Sequence, residues 1–281
     1  MDKKTLPVIP SDSADDLHNL PAANSCDLAL FMAGNQFMAM EEIIRTFQKE
    51  SPDIRNIFYE TLPPGLELKQ ILSGGAIFKG EKLGVYPDIY TSVSEKGMRL
   101  LETSGHIRQG DYHLFLHNRL SLMVPKGNAA NITSVADLSG DGVRISQPDP
   151  ENEDIAFHIM DMYRQAGGER LVHRIMEEKR AEGTTVFTRV HHRETPLRIS
   201  KKTVDAGPVW FTEILHARAS GLDIDVVEPG EDFDQRYRIN YFICQLKNAP
   251  HPKNAGKFLD FILSPSAQDI YKKYGFLSYL K

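Results

Sequence analysis

Short, continuous apolar runs alternate along this chain with stretches whose apolar residues recur at helical spacing, the pattern of buried strands followed by covering helices. Asp27-Leu-Ala-Leu-Phe-Met32 predicts the first strand. A turn at Ala33-Gly34-Asn35 leads to a helix marked by Met38, Met40, Ile43, Ile44 and Phe47. Asp53 to Tyr59 predicts a second strand, and Leu62 to Leu72 turns through Pro63-Pro64-Gly65 into a second helix that ends at Ser73-Gly74-Gly75. Pro87 to Thr91 reads as a third strand with helical Glu95 to Leu101 behind it. Strand alternating with helix over this length means a parallel α/β sheet.

Asn118 to Gly127 predicts a long strand that crosses into a second lobe. There follow a short helix at Val135 to Leu138, a strand at Val143 to Ser146, and a helix from Asp154 to Ala166 closed by Gly167-Gly168. Leu171 to Glu182 is a further helix, Thr184 to Val190 a strand rich in β-branched residues, and Thr195-Pro196 reopens a helix. Asp205 to Phe211 is the next strand. The stretch from Asp225 to Tyr241 should return the chain to the first lobe, which is then built from both ends of the chain.

The last segment is the most distinctive. An apolar strand from Ile239 meets the turn Asn248-Ala-Pro-His-Pro252, where two prolines block any regular element. A helix then carries Ala255, Phe258, Leu259, Phe261 and Ile262 on one stripe. Ser264-Pro265 opens another helix as N-cap and first helical residue, and Gly275 follows it in the usual C-terminal position. The expected division is a flexible tail over 1–26, a first lobe of 27–117 plus 229–281, and a second lobe of 118–228.

Composition narrows the class without naming a ligand. The chain has 281 residues, 41% hydrophobic and 25% charged, which suits two ordinary globular lobes. A formal net charge of −5 with no Lys/Arg run argues against nucleic acid as a partner. No apolar stretch reaches bilayer-spanning length. The two cysteines, Cys26 and Cys244, make neither a metal motif nor a disulfide framework, and the sequence leaves their pairing open. Catalytic signatures are missing: there is no Gly-x-Ser-x-Gly, phosphate-binding glycine loop, His-Glu-x-x-His or Cys-x-x-Cys.

Five segments together resemble the type 2 periplasmic solute-binding proteins, and among them the molybdate- and tungstate-binding group. They are Ala33 to Phe47 with Lys49-Glu50, Asp88 to Met98, Asn118 to Asn128, Val204 to Trp210, and the closing segment from Ile239 to Phe276. The resemblance implies a two-lobed α/β fold with a ligand cleft between the lobes. It also implies a periplasmic monomer without cofactor or enzymatic activity, serving the membrane permease of an ABC transporter or, alternatively, a membrane sensor kinase. A signal peptide would then have been removed, since Met1-Asp-Lys-Lys-Thr is too polar to be one.

In such a sheet ligands gather beyond the carboxyl ends of the strands, where helix N-termini offer unpaired N–H groups to an oxyanion. This selects Asn35, Gly65 and Ser92 from the first lobe. From the second it selects Glu153, His191, His192, Arg193, Glu194, Thr195 and Trp210, with Thr212 beside them. The family grips its anion with serine hydroxyls, backbone N–H groups and a tyrosine. Here Asn35 takes a serine's place, Pro63-Pro64 replace a Ser-Ser type turn, and Trp210 replaces the tyrosine. His191-His192-Arg193-Glu194 could supply charge-assisted donors to the anion. The alternative is a metal cation held by His191, His192, Glu194 and the Glu151/Glu153/Asp154 group. For those three acids, capping of the following helix is the simpler role.

Overall fold

A computed structural model describes residues 5–151, 153–188 and 194–280. The chain divides into two compact units. One comprises Met1–Leu116, Asn240–Lys273 and Ser278–Lys281; the other comprises His117–Ile239 and Tyr274–Leu277.

The first unit begins with strands β1 (Val8–Ile9), β2 (Leu17–His18) and β3 (Leu28–Phe31), then helix α1 (Phe37–Glu50) and β4 (Ile57–Glu60). Helix α2 (Pro64–Ser73), β5 (Ala76–Phe78), β6 (Glu81–Leu83), β7 (Ile89–Ser92), α3 (Glu95–Thr103) and β8 (His113–His117) follow. The second unit holds β9 (Leu120–Pro125), β10 (Ile145–Gln147), α4 (Ile155–His173), α5 (Lys179–Ala181) and β11 (Thr185–Phe187). It continues with α6 (Glu194–Ser200), β12 (Gly207–Trp210), α7 (Phe211–Ala219) and β13 (Ile224–Val227). The return supplies β14 (Asn240–Gln245), α8 (Pro252–Ile262), α9 (Pro265–Lys273) and β15 (Leu277–Ser278). The Ser264 hydroxyl accepts from Ala267 N at 3.4 Å at the start of α9.

A seven-stranded sheet, ordered β15-β8-β14-β7-β3-β4-β2, organises the first unit. Strands β3, β4 and β7 are parallel, with Phe31 level with both Glu60 and Tyr90. Strand β14 runs antiparallel beside β7 and pairs Phe242 with Ser92. The carboxyl ends of three strands and the amino end of β14 therefore lie along one edge of the sheet. All four residues of β3 are buried, as a strand covered on both faces requires. Cys26 and Cys244 are free, buried members of one apolar cluster.

Residues 5–26 correct the expectation of a flexible tail. Strand β1 pairs in parallel with β5, and β2 pairs antiparallel with β4. Ile9 and Leu17 are buried with Leu62, Ala76 and Phe78, each contributing about 1.5–3 kcal/mol of apolar burial. The His18 ring stacks on Tyr59 with centroids 4.1 Å apart. Two-residue strands are too short to show a period in the sequence, which is why the segment read as a tail.

In the second unit β12-β9-β13 form an antiparallel sheet, and β10 pairs in parallel with β11. A parallel bridge from Ile145 to Ala206 aligns β10 with the approach to β12. Residues 229–239, expected with the first lobe, belong to this unit. Asp234 holds them there: its carbonyl accepts from Leu120 N at 2.8 Å, and its buried carboxylate pairs with Arg236 at 2.7 Å. The helix closes at Gly167-Gly168 as expected: both glycines leave helical geometry, Gly168 with φ +69°, and a second helical stretch follows them to His173.

Candidate functional site

The edge of the first sheet is built from tight turns that fold back on the strand ends. Gly34 opens the 3-10 turn Gly34–Gln36, and its amide donates to Leu62 O at 2.9 Å. A Cβ at Gly34 would stand 2.9 Å from Thr61 O, so the close approach of the two turns requires glycine. Gln36 is fully buried. Its Nε2 donates to Thr91 Oγ1 at 3.0 Å, while Tyr271 Oη donates to its Oε1 at 2.9 Å. Thr91 Oγ1 also accepts from Ala33 N at 2.7 Å.

Asn35, in the middle of this turn, is 9% exposed, and its Nδ2 donates to the Tyr241 hydroxyl. Its Oδ1 is buried without a hydrogen-bond partner among the described residues. Gly65 lies exposed in the first turn of α2, with open space where a Cβ would be. Ser92 is buried at the end of β7, but its hydroxyl is engaged in its own loop, donating to Ser94 O at 3.0 Å and accepting from Ser94 N at 3.1 Å. Ser94 in turn caps α3 by accepting from Lys96 N.

The second unit gathers the ends of β10, β11 and β12. Thr188 N donates to Gln147 O at 2.9 Å, and Asp149 N donates to Thr188 Oγ1 at 3.2 Å, closing the loop beyond β10 onto the end of β11. The Thr188 hydroxyl itself donates to the Glu153 carboxylate. Burial, opposed by this bond, pushes the Glu153 carboxyl up to about 7. Asp154 occupies the N-cap of α4 without a side-chain cap hydrogen bond. The capping role expected of Glu153 and Asp154 is therefore not the one observed.

Glu213, in the first turn of α7, is 6% exposed. Burial, and then the neighbouring Glu153, hold it well above the usual carboxylate range. In the sequence it resembles an ordinary acid at a helix start, so only its burial beside Glu153 marks it out.

The remaining residues expected in the site are distributed around these loops. Thr195 is buried, sharing a 2.8 Å hydrogen bond with Ser146 Oγ. Its methyl group would stand 2.4 Å from a Cβ at Gly207, so glycine there lets α6 close on β12. Glu194 pairs with Arg198 at 2.7 Å. Trp210 is buried, with the His158 ring 6.0 Å away and tilted by 58°; burial pulls the His158 pKa down. Thr212 is fully buried and accepts from Asn118 Nδ2 at 3.2 Å. His191, His192 and Arg193 lie outside the described residues.

Among the described residues, no three His, Cys, Asp or Glu side chains come together as a metal-binding set.

Residues 28–277 match the bacterial extracellular solute-binding proteins, and the chain belongs to that family, whose members bind solutes and are not enzymes. One relative is YvgL of Bacillus subtilis (strain 168), assigned as an ABC transporter substrate-binding lipoprotein. It is 24% identical over 249 residues, spanning 89% of this chain and 85% of its own. Among solved structures, the periplasmic molybdate-binding protein of Azotobacter vinelandii superposes with a TM-score of 0.70 at 18% identity, covering 89% of this chain and 98% of its own. Iron-bound HitA of Pseudomonas aeruginosa superposes with a TM-score of 0.69 at 14% identity, covering 90% and 87%. At such identities the likeness shows the fold, and the two proteins are named for different ligands.

Proposed function

We propose that this protein captures a small tetrahedral oxyanion, molybdate- or tungstate-like, outside the cytoplasm and delivers it to the membrane permease of an ABC transporter. The observation that carries this reading is the buried Asn35 carboxamide. It stands at the strand edge before α1 with its Oδ1 unpartnered among the described residues; turned by half a rotation, the amide offers its Nδ2 donor at that place, where nearby helix N-termini also suit an anion. The proposed contacts are Asn35, Gly65, Ser92, Glu153, His191, His192, Arg193, Glu194, Thr195 and Trp210. Glu153 is compatible with an anion because burial favours its protonated form, and a neutral carboxylic acid donates a hydrogen bond. The ABC transporter relative supports the transport role.

The second reading is a metal cation, favoured by the charge interaction between the buried Glu153 and Glu213 carboxyls and by the iron-bound neighbour. A thermal-shift screen of metal-free protein separates the two. It would test molybdate, tungstate, sulfate and phosphate beside Fe(III), Zn and Ni salts. A true ligand at 100- to 1,000-fold excess over its Kd adds roughly 3–4 kcal/mol and raises the midpoint. A shift with an oxyanion supports the proposal; a shift with metal salts alone replaces it with the cation reading.

A further inference from the structure

Tyr241 was not among the residues singled out from the sequence, yet it is the only described side chain whose hydrogen bond to the Asn35 carboxamide is seen. It lies on β14, whose antiparallel course beside β7 brings its amino end to the edge where the β3 turn sits. The Tyr241 ring is fully buried and packs edge-on against Phe115, with centroids 6.4 Å apart. Phe115 in turn packs against Tyr271, whose hydroxyl holds Gln36. The Gly34–Gln36 turn is thus fixed on one side by Tyr271 and Thr91, and on the other by Tyr241.

One atom of the Asn35 carboxamide has no partner among the described residues, the buried Oδ1. An unmet buried polar group costs about 1–3 kcal/mol. The two ends of a carboxamide have the same shape, and a phenol both donates and accepts. Turning the amide by half a rotation lets Tyr241 Oη donate to Oδ1 and places the Nδ2 hydrogens where the unmet oxygen stood. In that setting the remaining group is a donor, and an anion oxygen completes it.

We propose that Tyr241 is a positioning residue for the solute: its hydroxyl fixes the Asn35 carboxamide so that one end of the amide faces the bound oxyanion as a donor. This rests on the oxyanion reading above. It adds a residue that acts through Asn35, and it explains how asparagine substitutes for a hydroxyl donor at this turn. A serine hydroxyl rotates to its acceptor, whereas an amide needs an anchor at one end to aim the other.

The test is a double-mutant cycle read by calorimetric titration with molybdate and with sulfate, using wild type, Tyr241→Phe, Asn35→Ala and the double variant. Tyr241→Phe keeps the ring and removes only the hydroxyl. It should weaken whichever of the two anions binds wild type by about tenfold; because it also leaves the buried amide without its partner, the anion-free thermal midpoint should fall by a few degrees while the variant stays folded at the titration temperature. Asn35→Ala should weaken binding at least as much, and the double variant should be no weaker than Asn35→Ala alone, since Tyr241 then has nothing to aim. Unchanged affinity in Tyr241→Phe, or losses that add in the double variant, overturns the positioning role while leaving the oxyanion reading in place. If neither anion binds wild type, the oxyanion reading fails for these probes and the inference falls with it.

Discussion

The carboxylate of Asp88 accepts from the backbone N–H of His251 and lies 2.9 Å from its ring Nδ1, across 163 residues of sequence. The same carboxylate accepts from Ala29 N at 2.8 Å, and the Asp88 carbonyl accepts from Leu246 N at 2.9 Å. One fully buried aspartate thereby joins β3, the end of β14 and the proline turn before α8. Replacing it with alanine strands two backbone donors, each costing about 1–3 kcal/mol. Asp88→Ala should therefore lose about 3 kcal/mol in urea unfolding, with the slope unchanged.

A second buried acid makes stability depend on pH. Burial, opposed by the 2.7 Å bond from Gln70, pushes Glu60 up to about 8, and Glu67 beside it is held well above the usual range. The folded protein keeps protons that the unfolded chain releases from about pH 4.5 upward. Stability is therefore full below that pH and declines as pH rises to about 8. Unfolding free energies measured from pH 5 to 8 should fall steadily, and Glu60→Gln should reduce the slope and stabilise the protein at pH 8. An unchanged slope would show that Glu60 does not titrate in this range.

The same sign applies to ligand affinity. If Glu153 meets the oxyanion as a neutral acid, binding should weaken as pH rises through about 7, by about tenfold per unit for one coupled proton. Glu153→Gln supplies a permanently neutral donor and should bind with much less pH dependence. A cation would show the opposite trend, binding more tightly as the carboxyls ionise and losing affinity in the Gln variant. Titration calorimetry at pH 6, 7 and 8 distinguishes the two.

The role of His191-His192-Arg193 rests on the sequence alone. Removing a charge-assisted donor from a bound anion costs about 1.5–3 kcal/mol, about tenfold or more in Kd. His192→Ala and Arg193→Ala should each weaken oxyanion binding to that extent with the ligand-free thermal midpoint nearly unchanged. Unaltered affinity in both variants removes this loop from the site.

The α/β alternation was legible because buried parallel strands are written as unbroken apolar runs, as at Leu28–Phe31 and Ile89–Ser92. Strand ends were legible too, which is why Asn35, Ser92 and Glu153 could be chosen. What the sequence could not convey was pairing across distance. Tyr241 reads as one more aromatic in a strand until the antiparallel register brings it to Asn35. Glu213 reads as a helix-start acid until its burial beside Glu153 is seen. Ser92 reads as a free hydroxyl, whereas its own loop engages it. Residues 5–26 lacked a period because their strands are only two residues long.

Those short strands have a consequence for the protein at high concentration. The seven-stranded sheet ends in Leu17–His18 on one side and Leu277–Ser278 on the other. Neither offers a long row of open backbone groups on which another chain could extend the sheet. The longer β4 and β8 would be such templates, and each is covered by a two-residue edge. The opening segment thus serves as a guard against edge-to-edge aggregation, and trimming it would expose β4 to self-association.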